Sequence, residues 1–287
     1  MKNIKCNITK IMTVLVAFSL LACLFTVQDS QAATIRLNKR SASILEGKSI
    51  RLSVNGTKKT VKWSSSNSSV ASVSKGKVTG KKPGKTVITA KVSGKTLKCS
   101  VTVKYNASLA EKNIKSSVKD LYGGILVKYT NHNKYPVSIK ASLSYRDAVK
   151  TVISEESDHN YCLEAGKSTW LYFPKPTDSN YKYINYTDYK LKISTDISKY
   201  KGYTKDITQW CKPNKLTLDV TTYNYSGKNL TAAKISCLLC DSKGRVIGYM
   251  AYFPGCLQKG THSEEHLNYP SYMSSPAQVK SYVDYAY

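Results

Sequence analysis

Between Thr34 and Lys104 apolar and polar residues alternate in short runs, among them "SIRLSV", "TVKWSS", "KTVITAKV" and "LKCSVTV". A period of two puts one side of each run against a core and the other in water, so each predicts a half-buried strand. Asn55-Gly56, Lys75-Gly76, Lys82-Pro83-Gly84 and Ser93-Gly94 separate the runs and predict turns. No window of this region carries a helical period. Many short strands at even spacing predict a β-sandwich.

Beyond Lys104 the pattern repeats. "IKASLSYRDAVKTVISEESDHNYCLEAG" aligns with "AKISCLLCDSKGRVIGYMAYFPGCLQKG" at a constant offset of 94 residues, matching Asp147 with Asp241, Cys162 with Cys256 and Gly166 with Gly260. A strand ending near Asn131 or Asn224 precedes each copy, and a Tyr-rich segment follows it, "INYTDYKLKIS" or "VKSYVDYAY". Two copies of one unit predict two domains of similar fold.

The stretch "VKWSSSNSSVASVSKGKVTGKKPGKTVITA" resembles the group-2 bacterial immunoglobulin-like domain, through Trp63, Ser64, Ser65, Asn67, Val70, Ala71, Val73, Gly76, Val78, Gly80, Gly84, Ile88 and Ala90. That resemblance implies that Trp63 fills the space between two sheets and that Val70, Val73 and Val78 extend the core. The two later copies are more weakly similar to FxLYD-type domains, which are also immunoglobulin-like sandwiches. "SCLLCDSKGRVIG" is the better match. Leu239-Cys240 replaces the usual aromatic pair there, and in the first copy Ala148-Val149 replaces the glycine turn. The expected architecture is all-β, with tandem immunoglobulin-like sandwiches: 33–105, 106–200 and 201–287, after a signal peptide at 1–32.

Three lysines precede the uncharged apolar run Ile11–Val27, and the polar "QDSQA" follows it, the arrangement of an export signal with cleavage after Ala32. Leu20-Leu21-Ala22-Cys23 also resembles a lipobox, and the run is long enough for an uncleaved anchor, so membrane contact is expected only through a retained signal or a lipidated Cys23. No C-terminal sorting motif precedes "YVDYAY". The expected location is outside a Gram-positive-type cell, secreted or at the surface. Cys99, Cys162, Cys211, Cys237, Cys240 and Cys256 remain after cleavage and permit 15 pairings, which the sequence leaves open. Cys237 and Cys240 point to opposite faces if "AAKISCLLCD" is a strand, which argues against a redox pair. Cys99 shares a face with Val101 and Val103, as a buried thiol would.

One motif suggests catalysis. His262-Ser263-Glu264-Glu265-His266 has the H-x-x-E-H form of inverted zinc peptidases, which requires a helix. The repeat places it on a strand, where residues four apart lie roughly 13 Å from one another and cannot close on one ion. His132 and His159 have no motif around them. No nucleophile elbow, phosphate loop or dinucleotide fingerprint occurs, and Glu155-Glu156 reads as a solvated pair. We therefore expect no catalytic, cofactor or metal residues, with a zinc hydrolase ranked last.

Charge changes the picture most. The chain carries 44 Lys and Arg against 18 Asp and Glu, a net +26. Residues 34–104 hold 17 of these basic residues and one acid, Glu46. Such a domain is drawn to polyanions, and outside the cell these are anionic wall polymers and acidic glycans, while nucleic acid is not expected. Lys58, Lys59, Lys81 and Lys82 are the candidate contacts. Tyrosine is in excess, 22 against 4 Phe. Tyr181, Tyr183, Tyr186 and Tyr189 form a candidate platform for sugar rings, or else pack between sheets. The sequence thus predicts a non-catalytic surface protein for adhesion or wall association. The alternative is a carbohydrate or host-protein binder using its Tyr-rich repeats.

Overall fold

The computed structural model describes residues 34–273 and 275–287. The expected export segment, with Cys23, lies outside these residues. No helix among them is long and apolar enough to cross a membrane.

The first group of strands is β1 (Arg36–Leu37), β2 (Ser41–Leu45), β3 (Ser49–Arg51), β4 (Val54–Asn55), β5 (Lys62–Ser65), β6 (Ala71–Ser74), β7 (Lys77–Gly80), β8 (Gly84–Val92) and β9 (Lys95–Lys104). A four-stranded sheet, β2-β9-β8-β5, packs on a three-stranded sheet, β3-β7-β6, while β1 pairs with β4. Val78, Ile88, Cys99 and Val101 are buried between the sheets, and Trp63 and Val73 pack against them partly exposed. Lys75 and Gly76 both take positive φ in the β6–β7 turn. A Cβ on Gly76 would collide with the Leu52 carbonyl oxygen, so the residue is fixed by contact as well as by conformation.

A helix the sequence did not predict, α1 (Ala107–Lys112), follows. Asn106 caps it by accepting from the Leu109 N–H, and its amide donates to the Glu46 carbonyl at 3.1 Å. The cap supplies what so short a helix lacks in internal bonds.

The second group is β10 (Ile114–Leu121), β11 (Gly124–Asn131), β12 (Val137–Arg146), β13 (Val152–Leu163), β14 (Ser168–Pro174) and β15 (Asp188–Ile197). The third is β16 (Ile207–Pro213), β17 (Thr217–Asn224), β18 (Ala233–Cys240), β19 (Val246–Tyr252), β20 (His262–Asn268) and β21 (Gln278–Ala286). Their sheets have the same order, β10-β11-β14 with β13-β12-β15, and β16-β17-β20 with β19-β18-β21. Each group encloses its own apolar core.

Two polar devices recur in both groups. Asn131 is fully buried and donates to the carbonyls of Tyr135 and Leu163, while its Oδ1 accepts from the Asn133 N–H. Asn224 likewise donates to Lys228, Leu257 and Gln258 and accepts from Ser226. One amide side chain satisfies a loop that packs under the core, where bare carbonyls would be costly. Asp147 accepts from the N–H groups of Val149 and Thr151, as Asp241 does from Lys243 and Arg245. The first copy was expected to lack the glycine turn; it keeps the same turn, with Lys150 at φ 67° where Gly244 has 73°. Bonds from the aspartate to the backbone hold the turn even though a side chain there strains it.

Replacing Asn224 with Ala leaves several buried carbonyls unpaired and is expected to destabilise the third group by about 2–3 kcal/mol. Chemical denaturation of the intact chain would measure this, and a loss well under 1 kcal/mol would contradict the role given to the side chain.

Candidate functional site

The strand register brings five lysines of the first sandwich onto one face. Lys62 pairs with Lys91, Thr89 with Lys98, and Lys85 with Thr102, all on the outer side of β5, β8 and β9. Ser41, Ser43 and Leu45 continue that side on β2, beside Ser100, Thr102 and Lys104. Their inward neighbours, including Ile88, Ala90, Cys99 and Val101, are buried, so the pleat forces the lysines outward. The result is a sheet face of five lysines among hydroxyls, with no carboxylate on it.

Glu46, the one acid of this sandwich, is withdrawn from the surface. It is buried, and Tyr135 Oη donates to its Oε2 at 2.5 Å. Burial pushes its carboxyl up, against the opposing bond from Tyr135. Every ion pair found among the described residues lies beyond Lys104. The lysines of the first sandwich therefore keep their field unneutralised by the chain itself.

The four lysines selected from sequence are not one cluster. Lys58 and Lys59 sit in the exposed loop leading to Lys62, which pairs with Lys91 near the end of β8. Lys81 and Lys82 precede the start of β8, so roughly 25 Å of strand separates the two pairs. Adjacent lysines are conspicuous in a sequence, but the larger set is the one at alternate positions on β8 and β9. The period-two pattern itself was the available signal.

The candidate tyrosines divide as well. Tyr186 and Tyr189 pack against the core of the second sandwich, with Tyr186 4.7 Å from Tyr145 between ring centres. Tyr181 stands 89% exposed in a tight turn at φ 59°. Tyr183 meets Tyr122 edge-on at 5.4 Å, and Tyr122 meets Tyr272 at 4.9 Å. An exposed aromatic patch thus forms from residues of both later sandwiches, which no local spacing announces.

These sandwiches share a buried junction. Leu121 and Leu126 pack on Leu238, with Tyr172 stacked on Tyr249 at 5.4 Å. Lys234 is 1% exposed and donates to the Trp170 carbonyl at 3.0 Å and to Asp158 at 3.3 Å. Asp284 accepts from Ser236 at 2.7 Å and from the Trp170 N–H at 3.2 Å. Its carboxyl is raised from an ordinary 3.8 to about 6, because burial outweighs Lys234 at 3.8 Å. Beside this junction a cleft of about 440 Å³ is lined by Lys128, Lys167, Trp170, Gln209, Ser281 and Tyr282, among others, and by no carboxylate. Lys128 Nζ lies 5.7 Å from the Trp170 ring centre and the Tyr282 ring 6.1 Å from it.

His262 and His266 lie on β20, extended as expected, with different partners. His266 contacts Asp219 at 2.6 Å and His262 lies 3.6 Å from Glu264. Asp219 raises His266 above its ordinary value. His132 and His159 belong to the second sandwich, where His159 packs on Tyr161. Among the described residues no three of His, Cys, Asp and Glu converge as a metal site would require.

Residues 31–104 match a known family. The match is to the bacterial Ig-like domain (group 2). The Ig-like domain so defined coincides with the first sandwich and carries the lysine face. No curated protein matches the chain. Among solved structures, domains 5–6 of the S-layer protein SbsC are similar at 16% identity and a TM-score of 0.22, over 79% of this chain and 98% of that one. Red sea bream transglutaminase is similar at 10% identity and a TM-score of 0.21, over 60% and 29%. Neither superimposes on the chain as a whole.

Between about pH 4 and pH 6 the folded chain holds a proton on Asp284 that the unfolded chain has released. Stability from this group therefore increases as pH falls across that window and is lost as pH rises through about 6. Denaturation midpoints measured across the window should show a steeper fall with pH in the unmodified chain than in Asp284→Asn. Identical slopes would contradict the burial of this carboxylate.

Proposed function

We propose that this chain is a non-catalytic surface protein whose Ig-like domain associates with anionic wall polymers through the outer face of β5, β8, β9 and β2. The observation that carries the reading is the array of Lys62, Lys85, Lys91, Lys98 and Lys104 on one sheet face, set among serine and threonine hydroxyls with no acid alongside. A flexible chain of phosphates or carboxylates is met there by regularly spaced ammonium groups, with hydroxyls to bind the intervening sugar or polyol units. Withdrawal of Glu46 into the junction with Tyr135 supports it, since nothing on the domain competes for the polymer. The family match and the export-like N-terminus agree with a location outside the cell.

A second reading is glycan or surface-protein recognition by the later sandwiches. The cleft with Trp170 and Tyr282 favours it, because aromatic faces stack on sugar rings while Lys128 and Lys167 meet an acidic substituent.

Binding of the full chain to purified anionic wall polymer separates these readings. The first expects affinity to fall steeply between low and moderate salt, and Lys62→Gln/Lys91→Gln/Lys98→Gln to weaken it by roughly tenfold or more. Lys58→Gln/Lys59→Gln should cost much less. Salt-independent binding, or binding lost only in Trp170→Ala, would exclude the lysine face.

A further inference from the structure

The six described cysteines allow 15 disulfide pairings by sequence, and the fold brings two of them together. Cys211 on β16 and Cys237 on β18 belong to opposite sheets of the third sandwich, and their Sγ atoms lie 3.6 Å apart. They are 26 residues apart in the chain, on strands that are not paired. The other four sulfurs have different surroundings. Cys99 lies in the first sandwich, Cys162 meets the Tyr200 carbonyl, Cys240 meets the Leu238 carbonyl, and Cys256 is exposed. Among the described residues no second pair of sulfurs is within bonding reach.

We propose that Cys211 and Cys237 are a cross-linking site, closed to a disulfide that ties the two sheets of the third sandwich. A disulfide needs about 2.05 Å between sulfurs, so a shift of roughly 1.5 Å, within the reach of side-chain rotation, completes the bond. The oxidant is a small or protein disulfide. Cys211, partly exposed, attacks one of its sulfurs as the thiolate and releases the other as a thiol. Cys237, fully buried, then gives up its proton and attacks the Cys211 sulfur, releasing the second thiol. Two protein thiols are oxidised and one oxidant disulfide is reduced to two thiols. The order follows from exposure. It also agrees with the acidities: the hydrogen bond from Cys237 draws Cys211 down to about 7, and the same bond pushes Cys237 up.

The cross-link would have a structural consequence. β16 begins directly after the passage from the second sandwich and is an edge strand of its sheet, and edge strands open first. A bond to the central strand β18 holds that edge to a strand buried at every residue and closes a loop between the sheets.

The test uses the full chain carrying Cys256→Ser, which removes the exposed thiol and prevents links between molecules. After equilibration with a glutathione redox buffer, unfolding and alkylation, peptide mapping should find Cys211 joined to Cys237, with Cys99, Cys162 and Cys240 alkylated. The oxidised chain should melt several degrees above its reduced form, and Cys237→Ser should abolish that difference. Both thiols recovered free under conditions that oxidise a small dithiol, or either one joined to a different cysteine, would overturn the proposal. The mapping needs no substitution in the core, so it decides even if Cys237→Ser does not fold.

Discussion

An ammonium with 1% of its surface in water persists only when hydrogen bonds and opposite charge replace that water, and Lys234 finds both by reaching across a junction. Its partners, the Trp170 carbonyl and Asp158, belong to the second sandwich, while Asp284 beside it belongs to the third. Separating the two sandwiches would expose the apolar seam of Leu121, Leu126 and Leu238 and break this cluster together. The two later sandwiches are therefore joined by apolar and polar contacts together, and the cleft beside Trp170 has walls from both.

The same junction explains why β18 is buried at every residue. Ile235, Cys237 and Leu239 face their own core, Lys234 and Leu238 meet the second sandwich, and Ser236 bonds to Asp284 beside them. Its counterpart β12 has one face in water, with Lys140 exposed where β18 has the buried Lys234. Equivalent strands in two copies of one unit thus carry different burdens. A lysine is a solvated residue in one and the centre of a polar cluster in the other. Cys237 inherits its position from this arrangement, since the strand that is buried on both sides presents its sulfur to β16.

The Ig-like domain is organised on a different principle. It has a core of modest side chains and a single acid turned inward, so its outer face is set by the pleat alone. Alternation puts Lys85 and Lys91 on one side of β8 and Ile88 and Ala90 on the other. Strand register then aligns them with the lysines and hydroxyls of β5 and β9. The first sandwich and the later pair therefore offer chemically distinct surfaces, one cationic and on an open sheet face, one aromatic and recessed.

Much of this was legible in the linear order of residues. Period-two alternation and Gly or Asn at the turns determined the strands and the sandwich class, because these depend on neighbours a few residues apart. The offset of 94 residues determined that the later sandwiches share an order of strands, and the extended spacing of His262 and His266 followed from it. Local signals failed where the deciding neighbour was distant. They did not reveal the capped helix α1, the retained turn at Lys150, the meeting of Cys211 with Cys237, or the burial of Lys234. Lys58 and Lys82 stood out because charged residues next to one another are easy to see, but it is the pairing of strands that assembles a face. Which side of a strand meets water is written in the sequence; which side meets another sandwich is settled only when the sandwiches pack, because that burial belongs to two surfaces at once.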